Sequence, residues 1–385
     1  MKLIYIANAR LPTQKAYGYQ ISKMCEEFAH NGAKVELWFP SRQNDIRKSL
    51  FDYYNLERNF KIKEIKCFDF IRFSKYLKSF GFWLQRLFFL IKLFFQKVDK
   101  KTTIYSRDPE IVWLFDLKGH KTIFECHRFP QSYIWLFKIF GRQADKIIVL
   151  TSRLKGLFIE NNFNKDKILV SPDGVDLKIF DIEISKAEAR KKLCLPVDKI
   201  ILGYTGRFKT MGKGKGLEEI FKAIKLVLLD FNNICFVAIG GSQEDIKYYQ
   251  ESAEEMGLPN NVLLLERTEQ KDLSVFQKAC DILLMPFPNT EHYAYYMSPL
   301  KMFEYMASQR PIITSDLPSV REVLNGQSCL FCQPDDCKNL AEKIKQLLND
   351  KNLGEKLAGQ AYLDVKNYSW QKRAEGILEF VSLVI

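Results

Sequence analysis

The chain runs to 385 residues, 47% of them hydrophobic and 27% charged, the composition of a folded soluble protein with more chain than one ordinary core accommodates, so about two domains are expected. Nine cysteines, an odd number without a framework, exclude a fully paired disulfide set. The formal net charge of +12 is concentrated: between positions 58 and 101 twelve Lys or Arg stand against three Asp or Glu, interleaved with Phe80, Phe82, Trp83, Phe88, Phe89, Phe94 and Phe95. That basic and aromatic mixture suits an anionic membrane surface or a lipid-phosphate acceptor.

The apolar run over 2–7 reads as a buried strand, and no basic region with a cleavage site precedes it, so a cytoplasmic location is expected. A helix follows over about 19–31, where Ile21, Met24, Cys25 and Phe28 recur at helical spacing and Gly32 ends it. A strand at 35–39 completes a βαβ opening, which implies a parallel sheet. The stretch 80–95 contains Arg86 and Lys92 and is shorter than the roughly 20 apolar residues of a membrane span. As a helix it sets Gln85, Phe89, Lys92 and Gln96 on one stripe, with Phe89 as the exposed aromatic. It either packs only within its domain or touches a membrane as well. Strands are expected at 103–105, 122–125 and 146–150, and the first domain closes near 171. The charged stretch 172–198 reads as a linker. A second αβ series fills 199–366, with strands at 200–204, 234–239, 262–265, 282–285, 312–314 and 329–331. A last helix lies within 367–385 and is expected to pack back toward the N-terminal domain. Two doubly wound, Rossmann-like sheets would leave a central cleft, where ligands of such sheets bind.

Two features carry chemistry. Gly206-Arg207-Phe208 and then Gly212-Lys213-Gly214-Lys215-Gly216-Leu217 lie between a strand and a helix. Glycines let a backbone approach an anion, and a helix N-terminus favours negative charge. The spacing is not that of a Walker A loop, and a plain turn is the alternative. The second feature is Ser298-Pro299-Leu300-Lys301-Met302-Phe303-Glu304. Ser298 as N-cap and Pro299 at the first helical position start a helix able to face a diphosphate. Leu300, Phe303 and Ala307 form its buried stripe. Glu304, one turn in, is either a dipole-compatible surface residue or a carboxylate for a pair of sugar hydroxyls. Cys329, Cys332 and Cys337 cluster without a second Cys pair or a nearby His, so buried thiols are favoured over a metal site.

Residues 298–315, SPLKMFEYMASQRPIITS, closely resemble glycosyltransferase family 4 (glycosyl transferases group 1), the retaining enzymes of the GT-B fold with two Rossmann-like domains. Other landmarks agree in order: Gly206-Arg207 with Lys215-Gly216, Asp173-Gly174-Val175-Asp176, Asp281 before a strand ending in Pro286, Ser369-Trp370 before a final helix, and, in the first half, Glu125-Cys126-His127. The resemblance implies that Glu304 holds the donor ribose and that Arg207 and Lys215 neutralise the departing diphosphate, with Lys213 as a second candidate lysine. Backbone amides around Ser298, Pro299 and Leu300 would hold the same phosphates, beside Gly206. Arg267 and Thr268 would lie near the base. His127 would sit by the sugar, although a lone His is otherwise more often structural, and Gly18, in the first βα loop, would approach donor and acceptor. The implied activity is transfer of a hexose-type sugar, with retention, from a nucleoside diphosphate donor to a saccharide or lipid-linked saccharide, in cell-surface glycan synthesis. It implies no bound metal or other cofactor, and no Asp-x-Asp is present.

The chain departs from the family twice. Tyr296 stands where the first Glu of Glu-x7-Glu belongs, so either Tyr296 or nearby His292 replaces it or the sugar contacts differ, and Asp173 stands where Asn is common. The competing readings are a GT-B sugar epimerase, which should carry more acid and base residues, a catalytically dead scaffold, and a basic binding protein. For nucleic acid the basic stretch lacks the expected signatures.

Overall fold

Leu3, Tyr5, Leu202, Leu283 and Ile313 are all buried, and the strands that carry them are covered on both faces, which is why they are apolar throughout instead of alternating. The computed structural model describes residues 1–130, 132–210 and 213–383. They fall into two units, Met1–Asp173 with Trp370–Ile385, and Gly174–Ser369.

The first unit has seven parallel strands: β1 (Lys2–Ile6), β2 (Lys34–Pro40), β3 (Lys61–Ile65), β4 (Thr102–Ser106), β5 (Thr122–Cys126), β6 (Lys146–Val149) and β7 (Ile168–Val170). Their order is β3-β2-β1-β4-β5-β6-β7, a doubly wound sheet. The edge strand β3, KIKEI, was not expected; its only fully buried residue is Ile65, so its charges hide the strand pattern. The first helix is Ala16–His30, so Gly18 lies in its first turn and not in the preceding loop. The reason is packing: a Cβ at Gly18 would come within 2.2 Å of the Tyr54 hydroxyl, which both donates to the Thr13 carbonyl and accepts from the Thr13 amide.

The basic, aromatic stretch is a longer helix than expected, Ser74–Phe94. Phe89 is not its exposed aromatic. Phe89 and Leu93 are fully buried against Ile6, Trp38, Ile65 and Phe115, and Gln85 turns inward to accept from the Phe70 amide. Phe80, Trp83, Leu87, Ile91 and Phe94, spaced by three or four residues, are exposed, as are Tyr76, Phe82 and Phe88. The helix is apolar on two faces, and the core took the one that includes Phe89.

The second unit has eight strands: β8 (Ile200–Thr205), β9 (Lys209–Thr210), β10 (Lys213–Gly214), β11 (Ile234–Gly241), β12 (Val262–Glu266), β13 (Ile282–Met285), β14 (Ile312–Ser315) and β15 (Leu330–Cys332). Six form a parallel sheet in the order β12-β11-β8-β13-β14-β15, and β9 and β10 make a small antiparallel hairpin. The stretch 172–198 is not a linker. It holds the helices Leu177–Phe180 and Lys186–Lys192, the second closed by a Ser185–Glu188 capping box, and buries Phe180, Ala189 and Leu195 in the unit's core. Arg190 anchors it, donating to the Ala279 carbonyl at 2.9 Å and pairing with Asp281 at 2.5 Å. The chain passes between the units at Asp173–Gly174 and Ser369–Trp370, and the last helix, Trp370–Ser382, belongs to the first unit.

Candidate functional site

In the second unit the chain leaves β8 through Gly206, whose φ of 113° is open only to glycine, with its amide bonded to the Ile239 carbonyl at 2.8 Å. Arg207 follows, exposed, and then the buried Phe208. Residues 211 and 212 lie outside the described residues, as does the Lys213 side chain. Lys215 comes next, its amide bonded to the Phe208 carbonyl at 3.1 Å, and Gly216 occupies the N-cap of the Leu217–Val227 helix. Burial, reinforced by the positive charge of Arg207, lowers the Lys215 ammonium to about 8. No carboxylate pairs with Arg207 or Lys215 among the described residues, so this corner of the sheet is left with positive charge.

The helix Leu300–Ala307 begins one residue later than expected: Pro299 is its N-cap, and Ser298, buried, precedes it. Leu300 is half-buried, and every residue from 301 to 307 is buried, so the helix has no polar face. Its first N–H groups have no partner within the helix. Lys301 places this start beside the glycine corner, since a Cβ at Gly206 would lie 3.3 Å from the Lys301 Nζ. Nζ sits 3.5 Å from the centre of the Tyr204 ring. Burial, then the charge of Lys215, hold Lys301 well below the usual lysine range, against the pull of Glu304. Sequence reasoning missed Lys301; its trace was a lysine inside an otherwise apolar helix.

Glu304 is also buried, and burial raises its carboxyl to about 7, opposed by a 3.4 Å hydrogen bond from the Gln277 amide and by Lys301. Tyr305 ties the helix to the end of β8 by accepting from the Thr205 amide at 2.7 Å. Arg267, exposed, and Thr268, which donates to Asp272 at 3.3 Å, follow the edge strand β12. Tyr296 is buried and donates to the Glu291 carboxylate at 2.9 Å. A carboxylate is therefore present near position 296 although the residue there is Tyr. His292 is exposed.

His127, in the first unit, follows β5. Its Nε2 lies 2.6 Å from the Glu125 carboxylate, which is fully buried and also takes hydrogen bonds from Tyr105, Arg107 and Arg373. Burial would raise Glu125, but the guanidiniums of Arg107 and Arg373 outweigh it and hold the carboxyl well below the usual range. Burial and Arg107 lower His127, so the ring is neutral at pH 7, with Nε2–H donating to Glu125 and Nδ1 left as an acceptor. Asp173 accepts from Gln20 at 2.6 Å in the same unit.

Residues 185–364 match the family model for glycosyl transferases group 1. The chain is 25% identical over 264 residues to the D-inositol 3-phosphate glycosyltransferase of Corynebacterium urealyticum, covering 66% of this chain and 60% of that one. It is 25% identical over 235 residues to the capsular polysaccharide biosynthesis glycosyltransferase CapM of Staphylococcus aureus, covering 58% and 57%. The chain thus spans little more than half the length of these relatives. Across its whole length it is similar to the Anabaena protein HepE in complex with UDP, at 14% identity and a TM-score of 0.72, with 100% of both chains covered, and the fold is GT-B. No described helix is long and apolar enough to cross a membrane. The matched stretch contains Gly206, Arg207, Lys215, Arg267, Thr268, Tyr296, Ser298, Lys301 and Glu304.

The pKa of Lys215 gives the domain a pH signature. Protonated below about 8, it loses its charge as the pH rises through that value, so affinity for an anion at the glycine corner is constant below and falls above. Titration of the protein with UDP from pH 7 to about 9.5 should show severalfold weakening above about 8, and Lys215→Arg should weaken less over the same range, since a guanidinium stays charged. Equal weakening in both proteins would contradict the placement of Lys215.

Proposed function

We propose that the protein transfers a hexose-type sugar from a nucleoside diphosphate donor to a saccharide or lipid-linked saccharide, with retention at the anomeric carbon, in building a cell-surface glycan. The observation that carries this reading is the pair Arg207 and Lys215 at the Gly206 corner, neither matched by a carboxylate among the described residues, within the stretch that matches the group 1 family model. Their charges meet the negative charge that develops on the departing diphosphate, and the backbone at Ser298, Pro299 and Leu300 adds N–H donors at the helix start. Gly206 lets the phosphates approach, and Lys213 is a second lysine of the same hairpin.

Glu304 accepts hydrogen bonds from the donor ribose, and Arg267 and Thr268 flank the base. Tyr296, holding the Glu291 carboxylate, serves the sugar in place of the acidic residue usual at position 296. In the first unit, Nδ1 of His127 is free to accept from a sugar hydroxyl, and Gly18 belongs to the same substrate-facing set. The acceptor oxygen bonds to the anomeric carbon on the face from which the diphosphate leaves. As the sugar–diphosphate bond breaks, the acceptor proton passes to a departing diphosphate oxygen, so no protein nucleophile is consumed. The relative CapM, of capsular polysaccharide biosynthesis, supports the glycan assignment.

The exposed ridge of Phe80, Trp83, Leu87, Ile91 and Phe94, in a segment of strongly positive charge, fits an anionic membrane surface, where a lipid-linked acceptor resides. Sedimentation with phosphatidylcholine vesicles should rise when about a third of the lipid is phosphatidylglycerol, and Trp83→Ser with Phe94→Ser should remove most of the binding. Binding indifferent to anionic lipid would contradict this part. For the chemistry, Arg207→Ala should lower sugar transfer at least about a hundredfold with the melting temperature kept. Near-normal turnover in that variant would overturn the assignment.

A further inference from the structure

Lys301 is about nine-tenths buried, and its Nζ meets no hydrogen-bond acceptor. Taking an ammonium out of water costs several kcal/mol, a cost usually offset by a paired carboxylate. None pairs with Lys301 among the described residues: Glu304, one turn along the helix, acts on it through space without forming an ion pair. The Tyr204 ring face at 3.5 Å is its nearest favourable contact, and Phe287 lies at 5.6 Å. Met302, Phe303, Tyr305 and Met306 surround it in sequence and are fully buried. A methionine at 301 would fill the same space without the electrostatic cost, so packing does not explain the lysine.

The direction of the side chain does. It runs from the first turn of the Leu300–Ala307 helix to Gly206, where any Cβ would come within 3.2 Å of its Cε and 3.3 Å of its Nζ. The absence of a side chain at 206 keeps that approach clear. The charge nearest to it from the hairpin side is that of Lys215, which is itself next to Arg207. Three cations from two segments thus converge on one corner, an arrangement that a multiply charged anion would stabilise.

We propose that Lys301 is a third diphosphate-binding residue of this site, its ammonium pairing with the donor's diphosphate and giving the site its preference for a nucleoside diphosphate over the monophosphate. This rests on the donor site proposed above. The test is calorimetric binding of UDP and UMP, with GDP and GMP in parallel, to the full-length wild type, Lys301→Met, Lys301→Gln and Lys301→Arg, with melting temperatures as the check on folding. The wild type should prefer one diphosphate to its monophosphate. Lys301→Met and Lys301→Gln should lower diphosphate affinity at least about tenfold and collapse that preference while leaving monophosphate affinity within about twofold, and Lys301→Arg should recover part of the loss.

A neutral variant that keeps the wild-type preference overturns the inference. So does equal loss of both nucleotides, or failure of both neutral variants to fold, either of which makes Lys301 structural. If Arg207→Ala loses the diphosphate while Lys301→Met keeps it, the donor site stands and this inference alone falls. A wild type that binds neither diphosphate overturns both.

Discussion

Positive charge held out of water without an internal partner is the constraint on which the second unit turns. Lys215 and Lys301 are pulled toward neutrality by burial and by repulsion from a neighbouring cation, Arg207 for Lys215 and Lys215 for Lys301. A folded chain does not keep such an arrangement for stability, because each buried cation lowers the stability that the surrounding core provides. It makes sense when a ligand completes it. Gly206 belongs to the same constraint, since it gives up a side chain where the corner needs space.

The first unit handles buried charge in the opposite way. Arg107 and Arg373 converge on Glu125, which also takes bonds from Tyr105 and His127, while Arg373 donates to the carbonyls of Pro172 and Ser171. Every strong charge there has its partner inside the protein. Breaking a buried pair of this kind typically costs about 3–5 kcal/mol. This network fixes the His127 ring and ties the C-terminal helix to β5, so a residue at the far end of the chain orients a residue of the candidate site. In this network the buried ionisable groups compensate one another and position His127, as Arg190 and Asp281 compensate one another in the second unit, whereas Lys215 and Lys301 have no such carboxylate among the described residues.

Much of this was legible in the sequence. Strands such as Ile282–Met285 are buried on both faces and announce themselves as apolar runs, and the Gly206 hairpin and the Ser298 segment stood out by residue type. What was misread has physical reasons. β3 is an edge strand, and edges tolerate charge, so KIKEI looked like surface. The Ser74–Phe94 helix is apolar on two sides, and periodicity finds faces without saying which one the core takes; Phe89 went inward. The 172–198 stretch is charged between its anchors, yet Phe180, Ala189 and Leu195 suffice to pack it. Lys301 was passed over because one lysine does not disturb an apolar pattern, and only its burial, its missing acceptor and its aim at Gly206 separate it from a solvated side chain.

The central claim is that the uncompensated cations of the glycine corner hold the diphosphate of a nucleotide sugar. A crystal structure of the protein grown with UDP tests it most directly. The account predicts phosphate oxygens within hydrogen-bond distance of Arg207 and Lys215, with the ribose hydroxyls on Glu304. A nucleotide bound with its phosphates away from this corner, or with solvent alone facing Arg207 and Lys215, would contradict it.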